Sequence, residues 1–559
     1  MSGSVPETAQ VRGDSPLAEA SAASDVPVLI VGGGPVGLAL ALDLAWHGQR
    51  SMVVERDSGT GTVLLPKATG LHERTIEMCR RWGIVDRVVA EGFPAEFPGD
   101  SVYATSLDGY HIGRSAIPSG LERMTPDETP EKRLRCPQYK FDPLLARAVA
   151  ERGLTDLRYG VKVEELAQDA DGVTVEISDV ATGDRSTIRA AYVVGCDGAG
   201  STVRQRLDVP FEGKMLDFSL SAMVRVPDLA LDEKLRGGER YILIGPEGAW
   251  GVFTSIDGDQ IWRLTVVGSQ ERLNPETFDM TAQIHRALGD SIPFEVMRVA
   301  PWKRSQCSAE TYRVGRVMLA GDAAHTTSPT GGHGLNTGIG DVSDLGWMLA
   351  SLLEGWGSDG LLAAYDLERR PVAVRSSSSA TANYDAWFDS SECADVLDDG
   401  PVGEEARRRI GKRLVDSLSN EWYSLGIELG FRYEGSPIIV PDGTPAPPDE
   451  YSNYVPTARP GHRAPHAWLS DGRSTLDLFG HGFAVLRFGT PDIADDELER
   501  AATRIGAPLQ IIDIDQPEIA ELYERRLVMV RPDGHVAWRG DSVPADIPAV
   551  LDVVRGVSR

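Results

Sequence analysis

The start of the chain shows the periodicity of a parallel-sheet unit. An apolar run of strand length, VPVLIV, covers 26–31, and a second one, SMVVE, covers 51–55. Between them, three glycines precede an apolar helical pattern at Pro35–Trp46, which Gly48 ends. A strand, a turn, a helix and a second strand within about 30 residues form the unit from which parallel sheets are built. The pattern therefore predicts an α/β fold.

Later segments predict a region that is dominated by strands. Four apolar or alternating runs, separated by the turns GPEG and DGDQ, lie between 217 and 268. A strand at Val317–Ala320 and a helix at about 334–354 then return to the first pattern, so we expect an inserted sheet domain. The other predicted elements are a loop-rich insertion at about 90–130, a helix at Phe141–Arg152, an antiparallel meander at Leu157–Ile188, a buried strand at Ala191–Cys196, a mostly helical region at 360–430, and a last unit from about 460 with three strands and one helix near 495.

The charge balance and the cysteines exclude several classes of protein. Lys and Arg number 56 and Asp and Glu number 83, so the formal net charge is −27. A surface this acidic repels phosphate backbones and anionic lipids, and no stretch approaches the roughly 18 apolar residues of a membrane span, so we expect no nucleic-acid and no membrane partner. Residues 1–24 lack an apolar signal core, which predicts a disordered leader and a cytoplasmic protein. The five cysteines form no CxxC pair and have no zinc-like spacing, so we expect reduced thiols and no metal site.

A glycine motif stands between the first strand and the first helix. In GxGxxG, Gly32 allows a tight turn, Gly34 lets a pyrophosphate approach the backbone, and Gly37 allows close packing of helix on strand. The helix N-terminus then points its unpaired N–H groups at the phosphates. Glu55 ends the next strand about 20 residues further on, where a carboxylate accepts hydrogen bonds from a ribose. The motif predicts a dinucleotide site without distinguishing FAD from NAD.

A second segment distinguishes the two cofactors. In GRVMLAGDAAHTTSPTGGHGLNTGIGDV, which starts at Gly315, a strand delivers Gly321 and Asp322, and a glycine-rich loop leads into a helix. An aspartate at the strand end can bind a sugar-alcohol hydroxyl, and N–H groups at the helix start can stabilise an anionic ring. FAD has a ribityl chain that would use this site and a nicotinamide dinucleotide has none, so we expect FAD.

Three motifs together carry a resemblance to a known family. GGGPVGL at 32–38, CDGAGSTVR at 196–204 and GDAAH…P…G…GLNTGI at 321–339 are similar to the FAD motifs of class A flavoprotein monooxygenases, the family of p-hydroxybenzoate hydroxylase. The motifs occur in the family's order, and the resemblance covers about 25–385.

The resemblance implies roles for individual residues. It implies that Asp197 handles FAD and nicotinamide, that Asp322 binds the ribityl part, and that Pro329 lies beside the reacting edge of the flavin ring. Arg74, in HERTIEMCRRWG, and Gln138, in CPQYKFDPLL, stand where the family has an Arg and a Gln that contact FAD, with Asp142 in place of the usual Glu. The predicted cofactor-binding set also includes the start of the helix, at Gly332, Gly334, Leu335 and Asn336.

The C-terminal part is similar to a subset of the family, the phenol and aromatic-polyketide hydroxylases. PGHRAPH at 460–466 followed by STLDLFG at 474–480 resembles the entry to their thioredoxin-like domain, and this one contains no cysteine. Thiol–disulfide exchange is therefore excluded, which leaves a structural or interface role. The predicted domains are a leader at 1–24, a Rossmann-like FAD-binding domain at 25–205 and 301–385, an inserted mixed β-sheet substrate domain at 206–300, a helical region and connector at 386–459, and a thioredoxin-like domain at 460–559.

The motifs favour a FAD-dependent aromatic hydroxylase. As the resemblance implies, NADPH or NADH reduces the flavin, O2 is taken up as a flavin C4a-hydroperoxide, and an oxygen atom passes to a phenolic or polycyclic, including polyketide, ring. A Baeyer–Villiger or epoxidising monooxygenase of the same fold remains an alternative, as does a FAD-dependent dehydrogenase or reductase. We expect a monomer or homodimer whose partners are a small aromatic substrate and O2.

Candidate catalytic residues are Pro329, Arg263 and His325. Arg263 lies on a predicted strand, where it could meet a phenolate or a substrate carboxylate or form a structural salt bridge. His325 follows the GDAA turn, where it could be either a catalytic residue or a packed loop histidine. Strand residues that could line an apolar pocket or equally face a core are Trp250, Phe253 and Met223.

Overall fold

A computed structural model describes most of the chain, namely residues 25–60, 68–229, 231, 233–387, 390–417, 421–489 and 495–557. The predicted leader at 1–24 lies outside these residues. The strands are β1 Asp25–Val31, β2 Ser51–Glu55, β3 Gly70–Leu71, β4 Asp100–Ala104, β5 His111–Ser115, β6 Leu134–Arg135, β7 Thr155–Tyr159, β8 Val161–Gln168, β9 Val173–Asp179, β10 Arg185–Gly195, β11 Phe211–Arg225, β12 Gly238–Gly245, β13 Gly248–Ser255, β14 Ile261–Ser269, β15 Glu295–Ala309, β16 Arg313–Val314, β17 Val317–Leu319, β18 His325–Thr326, β19 Phe483–Phe488, β20 Leu509–Ile514, β21 Leu527–Val530 and β22 Val536–Gly540.

The helices connect these strands or cover their sheets. They are α1 Pro35–Trp46, α2 Glu73–Trp82, α3 Val85–Glu91, α4 Gln138–Arg152, α5 Thr202–Arg206, α6 Met280–Leu288, α7 His333–Glu354, α8 Gly360–Trp387, α9 Pro401–Ser417, α10 Leu425–Glu428, α11 Asp495–Arg504, α12 Pro517–Tyr523 and α13 Ile547–Val554. Short 3₁₀ turns lie at Gly321–Ala323 and Thr475–Leu478. In the described part of the chain, none of the helices has the length and apolar character of a membrane span.

The first sheet has the strand order β16-β17-β10-β1-β2-β7. Strand pairs from β17 to β7 are parallel, and β16 joins the edge antiparallel. Val28, Leu29 and Ile30 in β1 are fully buried, because a parallel strand is covered on both faces. Helix α1 has the predicted bounds and packs against α4 and α7. The predicted Rossmann-like unit is confirmed.

A branch of antiparallel strands extends the first sheet. The first half of β10 pairs antiparallel with β9, which pairs with β8, while the second half pairs parallel with β1. The predicted antiparallel meander at Leu157–Ile188 is confirmed for β8, β9 and the first half of β10, whereas β7, which overlaps the start of that range, pairs parallel with β2. Helix α4, which crosses over to β7, starts at Gln138 rather than Phe141 and contains Pro143. The Asp142-Pro143 signal lies inside the helix, at a position that costs one backbone hydrogen bond.

The second sheet has the strand order β18-β15-β11-β14-β13-β12-β4-β5. The predicted loop-rich insertion at about 90–130 is wrong for β4 and β5, because β4 pairs parallel with β12 and carries β5 at the sheet edge. The prediction missed β15, whose many polar and charged residues hide the strand pattern; it pairs along the whole of β11 and crosses the predicted boundary at 300. The mixed sheet therefore extends beyond 206–300 in both directions, and the division into domains stays a prediction.

The third sheet has the order β20-β19-β21-β22, with one parallel and two antiparallel pairs. Helix α11 starts near 495 as predicted, and β22 is a strand that the sequence did not reveal. Helices α11 and α13 contact each other beside this sheet. The architecture is α/β, with a Rossmann-like domain, an inserted mixed sheet and a C-terminal thioredoxin-like domain.

Candidate active site

The glycine turn after β1 leaves space beside the start of α1. A Cβ atom on Gly32, whose φ is +108°, would lie 2.5 Å from the Cys196 carbonyl oxygen, and one on Gly37 would overlap the carbonyl oxygen of Gly32. A Cβ atom on Gly34 would meet no atom within 4 Å. The protein itself therefore requires Gly32 and Gly37, whereas the space at Gly34 faces the free N–H groups of α1 and fits a pyrophosphate.

Glu55 lies against this turn, at the end of β2. Its Oε2 atom accepts a hydrogen bond from the backbone N–H of Gly33 at 2.7 Å, and its Oε1 atom accepts one from Asp57 at 2.8 Å. The carboxylate is half-buried, so one side remains accessible beside the glycine turn. This position fits the predicted contact with a ribose.

Three predicted motifs meet at one edge of the first sheet, because β1, β10 and β17 are parallel and their carboxyl ends coincide. Gly32 follows β1, Asp197 follows β10, and Asp322 follows β17. We call the 3₁₀ turn Gly321–Ala323 the aspartate turn. Gly321 has a φ of +59°, and a Cβ atom there would lie 2.9 Å from the Val36 side chain in α1. The aspartate turn thus packs on α1 and exposes the Asp322 side chain.

Asp197 positions the backbone around α5. Its Oδ1 atom accepts a hydrogen bond from the Ser201 hydroxyl at 2.5 Å, and its Oδ2 atom accepts one from the Val203 N–H at 3.1 Å. Burial raises the pKa of the Asp197 carboxyl above its usual value. Arg204 in α5 donates to the carbonyl of Ala323 at 2.7 Å. The segment that contains Asp197 is thereby tied to the aspartate turn.

His325 is buried behind the aspartate turn. Its Nε2 atom lies 2.7 Å from Oδ2 of Asp341, which also accepts the Gly321 N–H at 3.0 Å. The histidine is only 3% exposed, on β18, next to β15. This geometry favours the packed loop histidine of the two interpretations, because the imidazole is enclosed by the protein and supports the loop, and the catalytic role stays a prediction.

The glycine-rich loop leads from the aspartate turn into α7. Pro329 is exposed, and its carbonyl accepts the N–H of Gly332, which has a φ of +74° and caps α7. A Cβ atom on Gly334 would touch Thr327 at 3.2 Å. Leu335 packs at the border of the first-sheet core. Pro329 and the free N–H groups of α7 are thus accessible to a bound ring.

Asn336 has a structural role that the sequence did not reveal. Its Oδ1 atom accepts from the His72 N–H at 2.8 Å and from the Thr75 hydroxyl at 2.7 Å. Its Nδ2 atom donates to the carbonyls of Gly70 and Gly332 at 3.1 and 2.7 Å. Both ends of the side chain are thus engaged within the protein, and the cofactor-binding role of Asn336 stays a prediction for its place at the start of α7.

For Arg74 and Gln138, the FAD contacts that the resemblance implies stay predictions. The Arg74 guanidinium donates to Glu77 at 2.9 Å and to the Asp533 carbonyl at 2.7 Å, so it joins α2 to the C-terminal domain. The sequence shows no sign of this contact, because Asp533 is 459 residues away. Gln138 is half-buried at the start of α4 and donates to Asp142 at 3.1 Å.

Arg263 lies on β14 opposite Met223 of β11 and Thr254 of β13, so the three side chains share one face of the second sheet. Burial, with the nearby positive charges of Arg135 and Arg240, lowers the pKa of Arg263 to about 10. Trp250 and Phe253 belong instead to the core on the opposite face, where Phe253 stacks on Trp262 at 4.8 Å. Of the two interpretations that the sequence left open for Trp250 and Phe253, the structure therefore supports the core.

The β3–β6 ribbon joins this face of the sheet to the glycine-rich loop. His72, which follows β3, lies 3.0 Å from the Gly331 carbonyl through its Nε2 atom. Arg135, on β6, forms an ion pair of 2.8 Å with Glu239 and approaches Arg263. The β3–β6 ribbon thus contacts the glycine-rich loop through His72 and approaches Arg263 through Arg135. This arrangement fits a class of protein, a dinucleotide-binding protein with a Rossmann-like sheet and a second, mixed sheet.

Comparisons with known proteins agree with this class. A model of the FAD binding domain family matches residues 25–379, and a model of the aromatic-ring hydroxylase C-terminal domain matches 457–556. The tetracenomycin B2 monooxygenase-dioxygenase of Streptomyces olivaceus is 34% identical over 95% of this chain and 98% of its own length. The phenol 2-monooxygenase of Pseudomonas sp. is 30% identical over 95% of this chain and 93% of its own length.

Solved structures are similar over nearly the whole chain. The rebeccamycin biosynthetic enzyme RebC with reduced flavin is 39% identical, with a TM-score of 0.87 over 96% of this chain and 100% of that chain. A ternary complex of aklavinone-11 hydroxylase with FAD and aklavinone is 30% identical, with a TM-score of 0.79 over 95% and 98%. The chain belongs to the family of FAD-binding aromatic-ring hydroxylases. It is a FAD-dependent monooxygenase that hydroxylates an aromatic substrate.

Proposed function

We propose that the protein hydroxylates a polycyclic phenol that bears an anionic group, with NADPH or NADH as the electron donor. The observation that carries this proposal is the position of Arg263 on the substrate sheet, where its half-buried side chain lies close to the positive charges of Arg135 and Arg240. Relatives that are named for tetracenomycin and aklavinone support a polycyclic ring. A cytoplasmic location and a monomer or homodimer remain part of the proposal.

The charges around Arg263 favour an anionic ligand. Arg135 pairs with Glu239 at 2.8 Å, and Arg240 pairs with Glu421 at 2.5 Å. Three guanidinium groups, those of Arg135, Arg240 and Arg263, therefore lie close together at this face of the sheet. A phenolate or carboxylate of the substrate that approached them would form a charge-assisted hydrogen bond, which is stronger than a neutral one.

The residues divide the tasks of the reaction between them. Bound FAD would supply the reduced ring that reacts with O2 and provides the oxygen atom. The space at Gly34 would receive the pyrophosphate, and Asp322 would accept a hydrogen bond from the ribityl chain. The N–H groups at the start of α7 would face the negative charge of the ring. Arg263 would orient the substrate and favour its phenolate form, and the buried sheet around it would exclude water.

A substrate panel tests the proposal. Matched polycyclic phenols with and without a carboxylate are offered with NADPH or NADH and ¹⁸O2. We expect the anionic compounds to accelerate nicotinamide oxidation and to incorporate one labelled hydroxyl oxygen. Arg263→Met should raise KM for the anionic compounds at least tenfold and leave KM for the neutral ones within twofold. Arg225→Met, a half-exposed arginine on β11, is the control and should change neither.

Three outcomes would contradict the proposal. Labelled oxygen inserted into a ring as an ester would indicate a Baeyer–Villiger reaction. Nicotinamide oxidation that is accelerated by an aromatic compound, with no ¹⁸O in any product, would indicate a dehydrogenase or reductase. An Arg263→Met variant that loses the neutral and the anionic substrates equally would remove Arg263 from anion recognition.

A further inference from the structure

A hairpin of the C-terminal domain reaches a buried place beside α8. Residues 531–535 join β21 to β22, and Arg531, Asp533 and His535 are all fully buried. The guanidinium of Arg531 donates to both carboxylate oxygens of Glu368 in α8, at 2.6 and 2.9 Å, and it also pairs with Asp533. The hairpin is therefore fixed to α8 by a bidentate ion pair that water does not reach.

Arg369, the next residue of α8, contacts α7. Arg369 is fully buried and donates to Asp341 Oδ1 at 2.9 Å, to the Tyr433 hydroxyl at 3.0 Å and to the Thr337 carbonyl at 3.1 Å. A Cβ atom on Gly340 would lie 2.6 Å from this guanidinium. Helix α7 thus leaves room for Arg369 at this position.

Asp341 connects Arg369 to the aspartate turn. One of its oxygens accepts the Arg369 Nε–H, and the other accepts the Gly321 N–H at 3.0 Å and contacts His325 Nε2 at 2.7 Å. These neighbours lower the pKa of Asp341 even though burial acts to raise it, so the carboxylate is charged. The charged carboxylate holds the N–H at the start of the turn that presents Asp322.

Tyr433 lies between Arg369 and the hairpin and contacts both. Its hydroxyl donates to Asp344 of α7, its ring lies 4.3 Å from the His535 ring, and the Arg531 guanidinium lies 5.2 Å from its centroid. Burial and the nearby Asp533 raise the pKa of Asp344 to about 7. Side chains in direct contact therefore lead from the C-terminal hairpin to the aspartate turn.

Part of this cluster could alternatively be interpreted as a metal-binding site. Asp344, Asp533 and His535 could each offer a ligand atom, and these atoms lie within 4.8 Å of one another. The guanidinium of Arg531 already pairs with Asp533 in that cluster and supplies the positive charge that a cation would bring. This contact favours the ion-pair network.

We propose that the C-terminal domain holds the aspartate turn in its FAD-binding shape through Arg531, Tyr433, Arg369 and Asp341, and that Arg369 is a positioning residue for FAD. The proposal rests on the proposed contact between Asp322 and the ribityl chain. It assigns the cysteine-free C-terminal domain a role in cofactor retention. Loss of Arg369 would leave the Asp341 carboxylate with fewer partners in a buried place, so the turn would shift to find others.

The test measures FAD binding by the full-length chain and does not depend on turnover. FAD is removed, and the dissociation constant is measured by fluorescence titration for Arg369→Met, Arg531→Met and Tyr433→Phe. The visible circular dichroism of bound FAD reports the setting of the ring. We expect Arg369→Met to weaken FAD binding at least tenfold, and Arg531→Met and Tyr433→Phe several-fold, each with an altered flavin spectrum.

Arg463→Met is the matched control. Arg463 is a fully buried arginine of the C-terminal domain that pairs with Glu77 in α2, away from Asp341. Its loss should lower the melting temperature and leave the dissociation constant and the flavin spectrum unchanged. Tyr433→Phe removes a single hydroxyl, so the test holds even if an arginine variant does not fold.

The results separate this proposal from the one it rests on. Unchanged FAD affinity and spectrum in Tyr433→Phe and in every folded arginine variant would overturn the positioning role, as would an equal loss in Arg463→Met. If Asp322→Ala also binds FAD normally, the proposed contact of the aspartate turn fails too. If only Asp322→Ala binds weakly, the contact stands and the path through Arg369 is rejected.

Discussion

His325 Nε2 lies 2.7 Å from Asp341 Oδ2, in a place where both side chains are buried. The histidine that follows the GDAA turn is therefore a support of that turn and is enclosed by protein. The same carboxylate oxygen accepts the N–H of Gly321, so the histidine acts on the backbone that presents Asp322. Its contribution should be visible in cofactor binding and stability.

His325→Leu should lower the melting temperature and weaken FAD binding, because Asp341 would lose a buried hydrogen-bond partner. His325→Gln can still donate to Asp341 and should keep most of the FAD affinity and turnover. Thermal unfolding, FAD titration and turnover are compared for the two variants. Equal loss of turnover in both, with normal FAD binding, would instead indicate a catalytic imidazole.

Gly34→Val should yield a folded protein that does not retain FAD. The backbone of Gly34 is extended, with a φ of −75°, and a Cβ atom there meets no protein atom within 4 Å. A side chain would therefore occupy only the space proposed for the pyrophosphate. The melting temperature of the apo-protein should be unchanged, and FAD should be absent from the purified variant.

Two glycine controls make this result specific. Gly400→Val also adds a side chain where no protein atom lies within 4 Å, and it should keep FAD. Gly37→Ala should unfold or strongly destabilise the protein, because its Cβ would overlap the Gly32 carbonyl. Normal FAD content in Gly34→Val would remove the glycine turn from the pyrophosphate site.

Asp322→Ala should weaken FAD binding with little effect on the apo-protein, since the side chain is exposed. A hydrogen bond to a charged group contributes about 1.5–3 kcal/mol, so the dissociation constant should rise by roughly 10- to 150-fold. Asp322→Asn keeps an acceptor and should show a smaller loss. A titration that gives the same affinity for Asp322→Ala and the unchanged protein would refute the contact.

Glu73 should make the stability of the protein fall as the pH rises. Burial and the neighbouring Glu428 raise the pKa of Glu73 from 4.5 to about 8, although Arg133 lies 3.9 Å away. The folded state therefore binds a proton that the unfolded state releases above pH 4.5, and the stability it contributes is lost between about pH 4.5 and 8.

Glu73→Gln removes this titration and should flatten the dependence of the melting temperature on pH between 5.5 and 9. The unchanged protein should lose more stability over that range than the variant. Glu404→Gln, an exposed carboxylate of α9, is the control and should follow the unchanged protein. Parallel curves for all three proteins would show that Glu73 is charged throughout the range.

The sequence by itself determined the β1–α1–β2 unit, the requirement for Gly32 and Gly37, and the order of the three FAD motifs. These features are local, since an apolar period and a glycine turn involve residues that are neighbours in the chain. The sequence also showed that Glu55 ends a strand and that the motifs of Gly34 and Asp322 each follow one. Parallel strands bring their carboxyl ends together whatever else the chain does.

Only the tertiary structure decided which side chains the protein uses for itself. Asn336 is satisfied by His72 and Thr75, 264 and 261 residues away, and Arg74 by the carbonyl of Asp533, 459 residues away. The tertiary structure also decided that β4 and β15 are strands. Their sequences did not predict strands, and β4 pairs with β12 and β15 with β11 only in the folded protein. A buried polar group must find a hydrogen-bond partner, and which partner it finds depends on the packing of distant segments.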